Sequence, residues 1–424
     1  MNILWVVNIA LPEASLLLNE KITPYGGWLV NSSTALSLNG VNLIVCFPHN
    51  GTKKVECLNG KLINYYAFPP VKYKNASDGS RNIEFEEILE RVKPDLVHIS
   101  GTEYPHTLSM VNTCNNLNIK TVISIQGLLS FVAKHYLACL PTKLQYKFTI
   151  RDFLKQDNIK QQQKRFAKHG KLEIEALQKT NHIIGRTTWD KACISQINPK
   201  ANYYFCNETL REEFYKHEWD VDLCDKHTIF VSQGTYPVKG LHNMLEAMTI
   251  IIKEFPHAKL FIAGRDITKI ETYKDKVRMS SYSTYIKKII SQNNLQNNVI
   301  FTGQLDEKQM CNRYLKSNVF VCPSSIENSP NSLGEAMILG VPCVASDVGG
   351  VSDMLKHNEE GFVYQADAPY MLAYYIGEIF KNENLAIIFS KSAKKHAIKT
   401  HDKVVNTNRL IEIYRHIITE RDPH

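Results

Sequence analysis

Short apolar runs recur along this chain, each closed by a turn-rich loop and followed by a stretch with helical spacing. Asn2–Val7, Val41–Phe47, Asp95–Ser100 and Lys120–Ile125 set the rhythm of the first half, and Asn181–Thr188 supplies its last strand. Runs without polar alternation fit strands covered on both faces, and strand–helix alternation is the grammar of a parallel sheet. A second alternating series runs from Thr228 to about Asp367, and the tail from Pro369 to His424 reads as continuous helix. Between the two series, residues 202–226 mix acids and bases and form the predicted linker. The pattern predicts an α/β chain of two parallel-sheet domains, 1–205 and 206–400, followed by a terminal helix at 401–424. Length agrees, since 424 residues exceed the roughly 250–300 at which a single core stops growing.

Chemistry gathers where a predicted strand gives way to a predicted helix. Asn318–Pro323 reads as a buried strand and Ala336–Leu339 as a helix stopped by Gly340 and Pro342. Between them, Ser324-Ser325-Ile326-Glu327-Asn328-Ser329-Pro330-Asn331-Ser332-Leu333-Gly334-Glu335 sets two glutamates across a loop. In parallel sheets, ligands bind outside the carboxyl ends of the strands, where helix amides can face an anion. Each glutamate also has a plain reading. Ser332-Leu333-Gly334-Glu335 fits a capping box that would merely start the helix, and Glu327 could be a solvated loop acid. Upstream, Thr228–Ser232 leads through Gln233-Gly234-Thr235-Tyr236-Pro237-Val238-Lys239-Gly240 into another helix. A lysine there can reach a phosphate while the glycines admit close backbone approach; the P-loop order is absent, and a solvated loop lysine is the alternative. Pro24-Tyr25-Gly26-Gly27, after the first strand, offers a third such turn.

Taken in order, strand then Gly26-Gly27, strand then Gly234 to Lys239-Gly240, and Glu327 to Glu335 resemble the retaining family-four glycosyltransferases of GT-B architecture, relatives of glycogen and sucrose synthases. Phe301-Thr302-Gly303-Gln304-Leu305 and Gly340–Gly350 fall where that family has similar segments. The resemblance implies two Rossmann-like domains facing each other across a cleft, the C-terminal helix crossing back to the first. It implies transfer of a sugar with retention from a nucleotide-diphosphate sugar, a UDP-sugar before GDP-mannose, to a glycan or lipid-linked acceptor in surface polysaccharide assembly. On that likeness Glu335 holds the ribose, the amides of Asn331, Ser332 and Leu333 take the diphosphate with Lys239, and Glu327 faces the donor sugar. Leu305 would meet the base, and Gly26, Gly27 and Gly234 would line the site. No cofactor and no metal ion is expected.

Two departures stand out. The family has an arginine directly after the glycine matching Gly234, whereas this chain has Thr235; Arg265, after Gly264, is the candidate substitute. The family also places a histidine where Gln126 stands in Ser124-Ile125-Gln126-Gly127, and glutamine can bind a hydroxyl but cannot move a proton. His98 is an alternative there, read equally as a structural histidine. These departures keep open a non-catalytic protein that binds a nucleotide sugar or a membrane-surface partner; another GT-B activity such as epimerisation fits the glutamate pair less well.

Charge narrows the partners. The formal net charge is +8, and residues 134–171 carry ten basic side chains against Asp152 and Asp157. Interleaved aromatic and aliphatic residues suit an anionic membrane surface, and a solvated helix face is the alternative. No nucleic-acid motif accompanies the charge. No apolar run reaches the roughly 18–20 residues of a membrane helix, and no leader pattern opens the chain, so a cytoplasmic protein, peripheral on the inner face of the plasma membrane, is expected. The ten cysteines have no metal-ligand spacing and are expected reduced and buried.

Overall fold

The computed structural model describes residues 1–22, 26–77 and 82–420. They form two compact units. The first comprises Met1–Phe131, Ala167–Arg211 and the chain from His401 onward, and the second Val132–Phe166 and Glu212–Thr400.

In the first unit the apolar runs become eight strands: β1 (Asn2–Val6), β2 (Asn42–Pro48), β3 (Glu56–Asn59), β4 (Asn64–Phe68), β5 (Leu96–Ser100), β6 (Thr121–Ser124), β7 (His182–Gly185) and β8 (Asn202–Phe205). They lie in the order β3-β4-β2-β1-β5-β6-β7-β8, parallel throughout except for β3 against β4. Successive side chains of a strand point to opposite faces. Accordingly, Leu4 and Val6 enter one hydrophobic cluster while Ile3, Trp5 and Val7 enter another. The helix Lys403–Thr419 covers the second cluster with Leu410, Ile411, Ile413, Tyr414 and Ile417. The terminal helix thus completes the core of the first unit. A buried hydrogen bond from Trp5 Nε1 to Tyr414 Oη, 2.8 Å, fixes its register.

The second unit holds β9 (Asp225–Val231), β10 (Lys259–Ile262), β11 (Val299–Phe301), β12 (Ser317–Cys322), β13 (Cys343–Ser346) and β14 (Gly361–Tyr364). All are parallel, in the order β11-β10-β9-β12-β13-β14. This is the doubly wound order in which strand succession reverses between the two central strands, here β9 and β12. Ile229, Phe230, Val319 and Phe320 are fully buried there, as both-face coverage requires.

Two features depart from the sequence reading. Residues 202–226 are not a free linker: Asn202–Phe205 is an edge strand, and Phe214 and Trp219 are buried anchors within the polar stretch. Trp219 donates through Nε1 to Ser317 O at 2.8 Å and through its amide to Leu339 O at 2.7 Å. Residues 132–166, contiguous in sequence with the first domain, cluster with the second unit because their short helices pack on Tyr273–Arg278 and Ser281–Gln292. No described helix is long and apolar enough to cross a membrane, and all ten cysteines are free, eight of them buried.

Candidate functional site

The carboxyl ends of β9 and β12 flank the point where strand succession reverses, and the two loops that leave them carry Lys239 and Glu327. After β9 the chain makes one 3-10 turn, Pro237–Lys239, then passes Gly240 at φ 68° into the helix Leu241–Glu254. A Cβ on Gly240 would overlap the Pro323 carbonyl, so only glycine lets this turn lie against the end of β12. The Ser325 amide donates to Val238 O at 2.8 Å and ties the loops together. The result is an ion pair between Lys239 Nζ and Glu327 Oε1 at 2.6 Å, with side chains 22% and 13% exposed.

Glu327 is held through both its Oε1 and its backbone carbonyl. Ser324 Oγ donates to the same Oε1 at 2.6 Å, and Ser346 Oγ fixes Ser324 through its carbonyl at 2.6 Å. The Glu327 carbonyl accepts from the Gly350 amide at 3.1 Å. Gly349, at φ 56°, leaves no room for a Cβ against that same carbonyl. Burial pulls the Lys239 ammonium down, but the Glu327 carboxylate and Tyr236 outweigh it and leave the lysine held above its ordinary range. A cation fixed at a strand end with a carboxylate beside it can take an anion by exchanging partners.

The helix after the Glu327 loop spans Asn331–Leu339, with Pro330 as N-cap and Gly340 at φ 83° closing it. This removes the capping-box reading of Glu335. Ser332 is inside the helix, Glu335 lies more than one turn in, and it is buried at 6% exposure. Its carboxylate is therefore placed along the helix and not at its start. The Leu333 amide already donates to Pro330 O at 2.9 Å. Asn331 and Ser332 occupy the first two helical positions, where backbone amides point out along the axis of the helix N-terminus. Tyr314 Oη holds the Ser332 carbonyl at 3.0 Å from below.

Other expected residues fall into place unevenly. Gly234 packs against Leu241 and Ile262, which a Cβ would crowd at 2.9 and 3.1 Å. Arg265 is exposed at the end of β10, and a Cβ on its neighbour Gly264 would stand 3.7 Å from Thr235 Cγ2. Arg265 thus directly follows the residue whose backbone approaches Thr235. Leu305 is half-buried just before the helix Glu307–Leu315.

In the first unit, Gly26 adopts φ 75° as N-cap of the helix Gly27–Leu38, its α-carbon set against Ile9, while Gly27 faces Arg211. Pro24 and Tyr25 lie outside the described residues. Gln126 follows β6, and its amide donates to Glu208 Oε1 at 2.5 Å. Glu208 also pairs with buried Arg186 at 2.6 Å. His98 is structural: Nε2 meets Ser124 Oγ at 2.6 Å and Nδ1 meets Tyr414 Oη at 2.5 Å, and burial pushes its imidazole down to about 3.

Sequence reasoning missed the Ser324–Ser346 support and the Arg186–Glu208 pair. The Gly349-Gly350 doublet after β13 was a usable signal for the first, since a paired glycine at a strand end marks close backbone approach. Nothing local marks the second.

Comparison with known proteins follows this geometry. Residues 213–396 match the family described as "Glycosyl transferases group 1". The chain is 27% identical over 211 residues to "Putative glycosyltransferase YtcC" of Bacillus subtilis (strain 168), which covers 49% of each chain. The chain spans about half the length of the curated relatives it matches. Among solved structures it is similar to sucrose-phosphate synthase from Thermosynechococcus elongatus, with TM-score 0.70, 15% identity and coverage of 98% and 99%. It is also similar to Anabaena Alr3699/HepE in complex with UDP-glucose, with TM-score 0.67, 13% identity and coverage of 97% and 98%. At these identities the solved structures establish the fold, which is GT-B.

Proposed function

We propose, from the match of residues 213–396 to the group 1 glycosyl transferases, that the chain moves a sugar from a nucleotide-diphosphate sugar to a glycan or glycolipid acceptor, with retention. The observation that carries the reading is the 2.6 Å Lys239–Glu327 pair at the β9/β12 reversal, followed by the start of the helix Asn331–Leu339. Lys239 and the amides of Asn331 and Ser332 supply fixed positive donors for a diphosphate, aided by Arg265. Charge grows on that diphosphate as the glycosidic bond breaks, so donors already in place lower the barrier, and no metal ion is needed in this scheme. Glu327, released from Lys239, faces the donor sugar and steadies its cationic centre. Glu335 accepts from the ribose hydroxyls, and Leu305 meets the base with its backbone.

Retention follows if the acceptor attacks the face that the diphosphate leaves, with a phosphate oxygen taking the acceptor proton. Gln126, tied to Glu208, serves as a hydroxyl-binding group and not as a base. A UDP-sugar is the first donor to try, since the fold neighbour is complexed with UDP-glucose, and GDP-mannose is the second. The test is nucleotide release from a panel of UDP- and GDP-sugars without acceptor, in wild type and Glu335→Ala. Slow release with one donor, lost in the variant, supports the reading. Binding without release from any donor favours a non-catalytic sugar-nucleotide protein, and absence of both rejects the site.

A further inference from the structure

The helix Ile150–Lys155 is turned inside out. Its polar side is buried: Asp152 is 0% exposed, accepts the Ser281 amide at 2.8 Å and is paired with Arg151 at 2.9 Å. That contact places a carboxylate at the N-terminus of the helix Ser281–Gln292, where the helix dipole favours it. Arg151 reaches on to Asp157 at 2.8 Å, and Arg165 also pairs with Asp157. The apolar side is outward. Ile150, Phe153 and Leu154, spaced i, i+3, i+4 on one stripe, are 59%, 65% and 73% exposed. Tyr146 and Phe148, just before them, are exposed as well. A soluble surface seldom groups this much apolar area, and such a patch marks an interaction face.

Charge selects the occupant. Residues 132–166 contain eight basic side chains and two acids, a net of +6 from 8 − 2. Both acids, Asp152 and Asp157, are consumed by the internal pairs with Arg151 and Arg165. Lys143, Lys147 and Lys155 stand exposed around the apolar stripe and are in no ion pair among the described residues. A second copy of the chain would bring the same positive charge to the contact and repel it. Nucleic acid would leave the aliphatic Ile150 and Leu154 in water. An acidic lipid headgroup layer over a hydrocarbon interior satisfies both halves of the surface, with cations at headgroup depth and the stripe below.

We infer that the face formed by Tyr146, Phe148, Ile150, Phe153 and Leu154, ringed by Lys143, Lys147 and Lys155, docks on an anionic lipid bilayer. The inference stands apart from the transfer reaction, so either can fail alone. The polar interior of this inverted helix anchors the element to the second unit through Ser281, so lipid binding by this face requires no membrane-spanning helix.

The test is co-sedimentation with phosphatidylcholine vesicles, with and without phosphatidylglycerol. Wild type pellets with the mixed vesicles only, and high salt releases it. Replacing Lys143, Lys147 and Lys155 together by Gln weakens binding on the order of a hundredfold, at roughly fivefold for each lysine. Phe153→Ser with Leu154→Ser abolishes pelleting while far-UV circular dichroism is unchanged. A separate variant, Tyr146→Trp, keeps an aromatic side chain at the face, and its indole emission shifts to the blue on mixed vesicles. Absence of pelleting and of the blue shift overturns the inference. So does binding that neither set of substitutions reduces, or a wild-type dimer that Phe153→Ser/Leu154→Ser dissolves, which would assign the face to a second copy.

Discussion

Glu327→Gln separates the stability of the Lys239–Glu327 pair from its use. At 2.6 Å, two unit charges attract by about 6 kcal/mol at an effective dielectric of about 20, and most of that is offset by the desolvation of both ions. Removing one partner leaves the other poorly compensated, which costs about 3–5 kcal/mol in a fully buried pair. The side chains here retain 22% and 13% exposure, so about 2–3 kcal/mol is the expected loss for Glu327→Gln and for Lys239→Met alike. The double variant should lose no more than either single one, because the pair acts as a unit. Ligand binding then splits the two residues. A charge-assisted bond from lysine to phosphate contributes about 1.5–3 kcal/mol, so Lys239→Met should weaken UDP binding roughly tenfold to a hundredfold. In Glu327→Gln the lysine has no carboxylate to leave, so UDP should bind at least as tightly as in wild type while sugar release collapses. Urea unfolding reads the first quantity and isothermal titration calorimetry the second. If Glu327→Gln weakened UDP as much as Lys239→Met, the division of roles between phosphate and sugar would be wrong.

Further predictions follow from the surroundings. Gly349→Ala should cost transferase activity more than stability, because a methyl group at φ 56° meets the Glu327 carbonyl and must push the carboxylate off Lys239; comparing activity with melting temperature checks this. Tyr414→Phe leaves both Trp5 Nε1 and His98 Nδ1 without their buried partner, so unfolding free energy should fall by about 2–3 kcal/mol with UDP affinity unchanged. Glu103 in the first unit is raised to about 7, chiefly by burial and further by Glu173, against bonds to its own backbone amide and to Asn8. Its protonated form is the one the fold favours, so this stability is complete below the unfolded value of 4.5 and lost as pH rises through about 7. Glu103→Gln should flatten that decline, which is at most about 3 kcal/mol, in urea midpoints measured at acid and neutral pH.

The strands were readable because parallel sheets bury both faces, so runs such as Leu4–Val7 and Val319–Cys322 carry no competing helical period. The Lys239 and Glu327 loops were readable for a related reason: glycine, proline and asparagine cluster where a strand must turn at once into a helix. What stayed hidden was long-range. Trp219 sits in a stretch whose composition is that of a linker, and only its bonds to Ser317 and Leu339 reveal an anchor. The apolar stripe of Ile150, Phe153 and Leu154 has the spacing of a core-facing helix. Its outward direction depends on Asp152 finding the Ser281 amide 129 residues away, which no local pattern announces. The capping-box motif misled in the opposite way, since Pro330 starts the helix two residues earlier than Ser332 would.

The Lys239–Glu327 pair also explains how two opposed charges can sit half-buried at a strand end. An isolated ammonium at this depth would be driven toward its neutral form by desolvation, and a neutral lysine could not meet a diphosphate. Glu327 prevents this, holding the lysine charged and oriented, while Ser324 and Ser346 hold Glu327. In the proposed reaction an entering dianionic group would replace one anionic partner of the lysine by another and leave it charged throughout. The carboxylate so released would face the new occupant, where a developing positive centre would replace the lost ammonium. On this argument the pair is a pre-set donor and acceptor couple. Swapping the charges, with Lys239→Glu and Glu327→Lys, should restore part of the stability that Lys239→Glu alone removes, yet restore no UDP binding, because the cation would then stand on the β12 loop, away from the phosphate position.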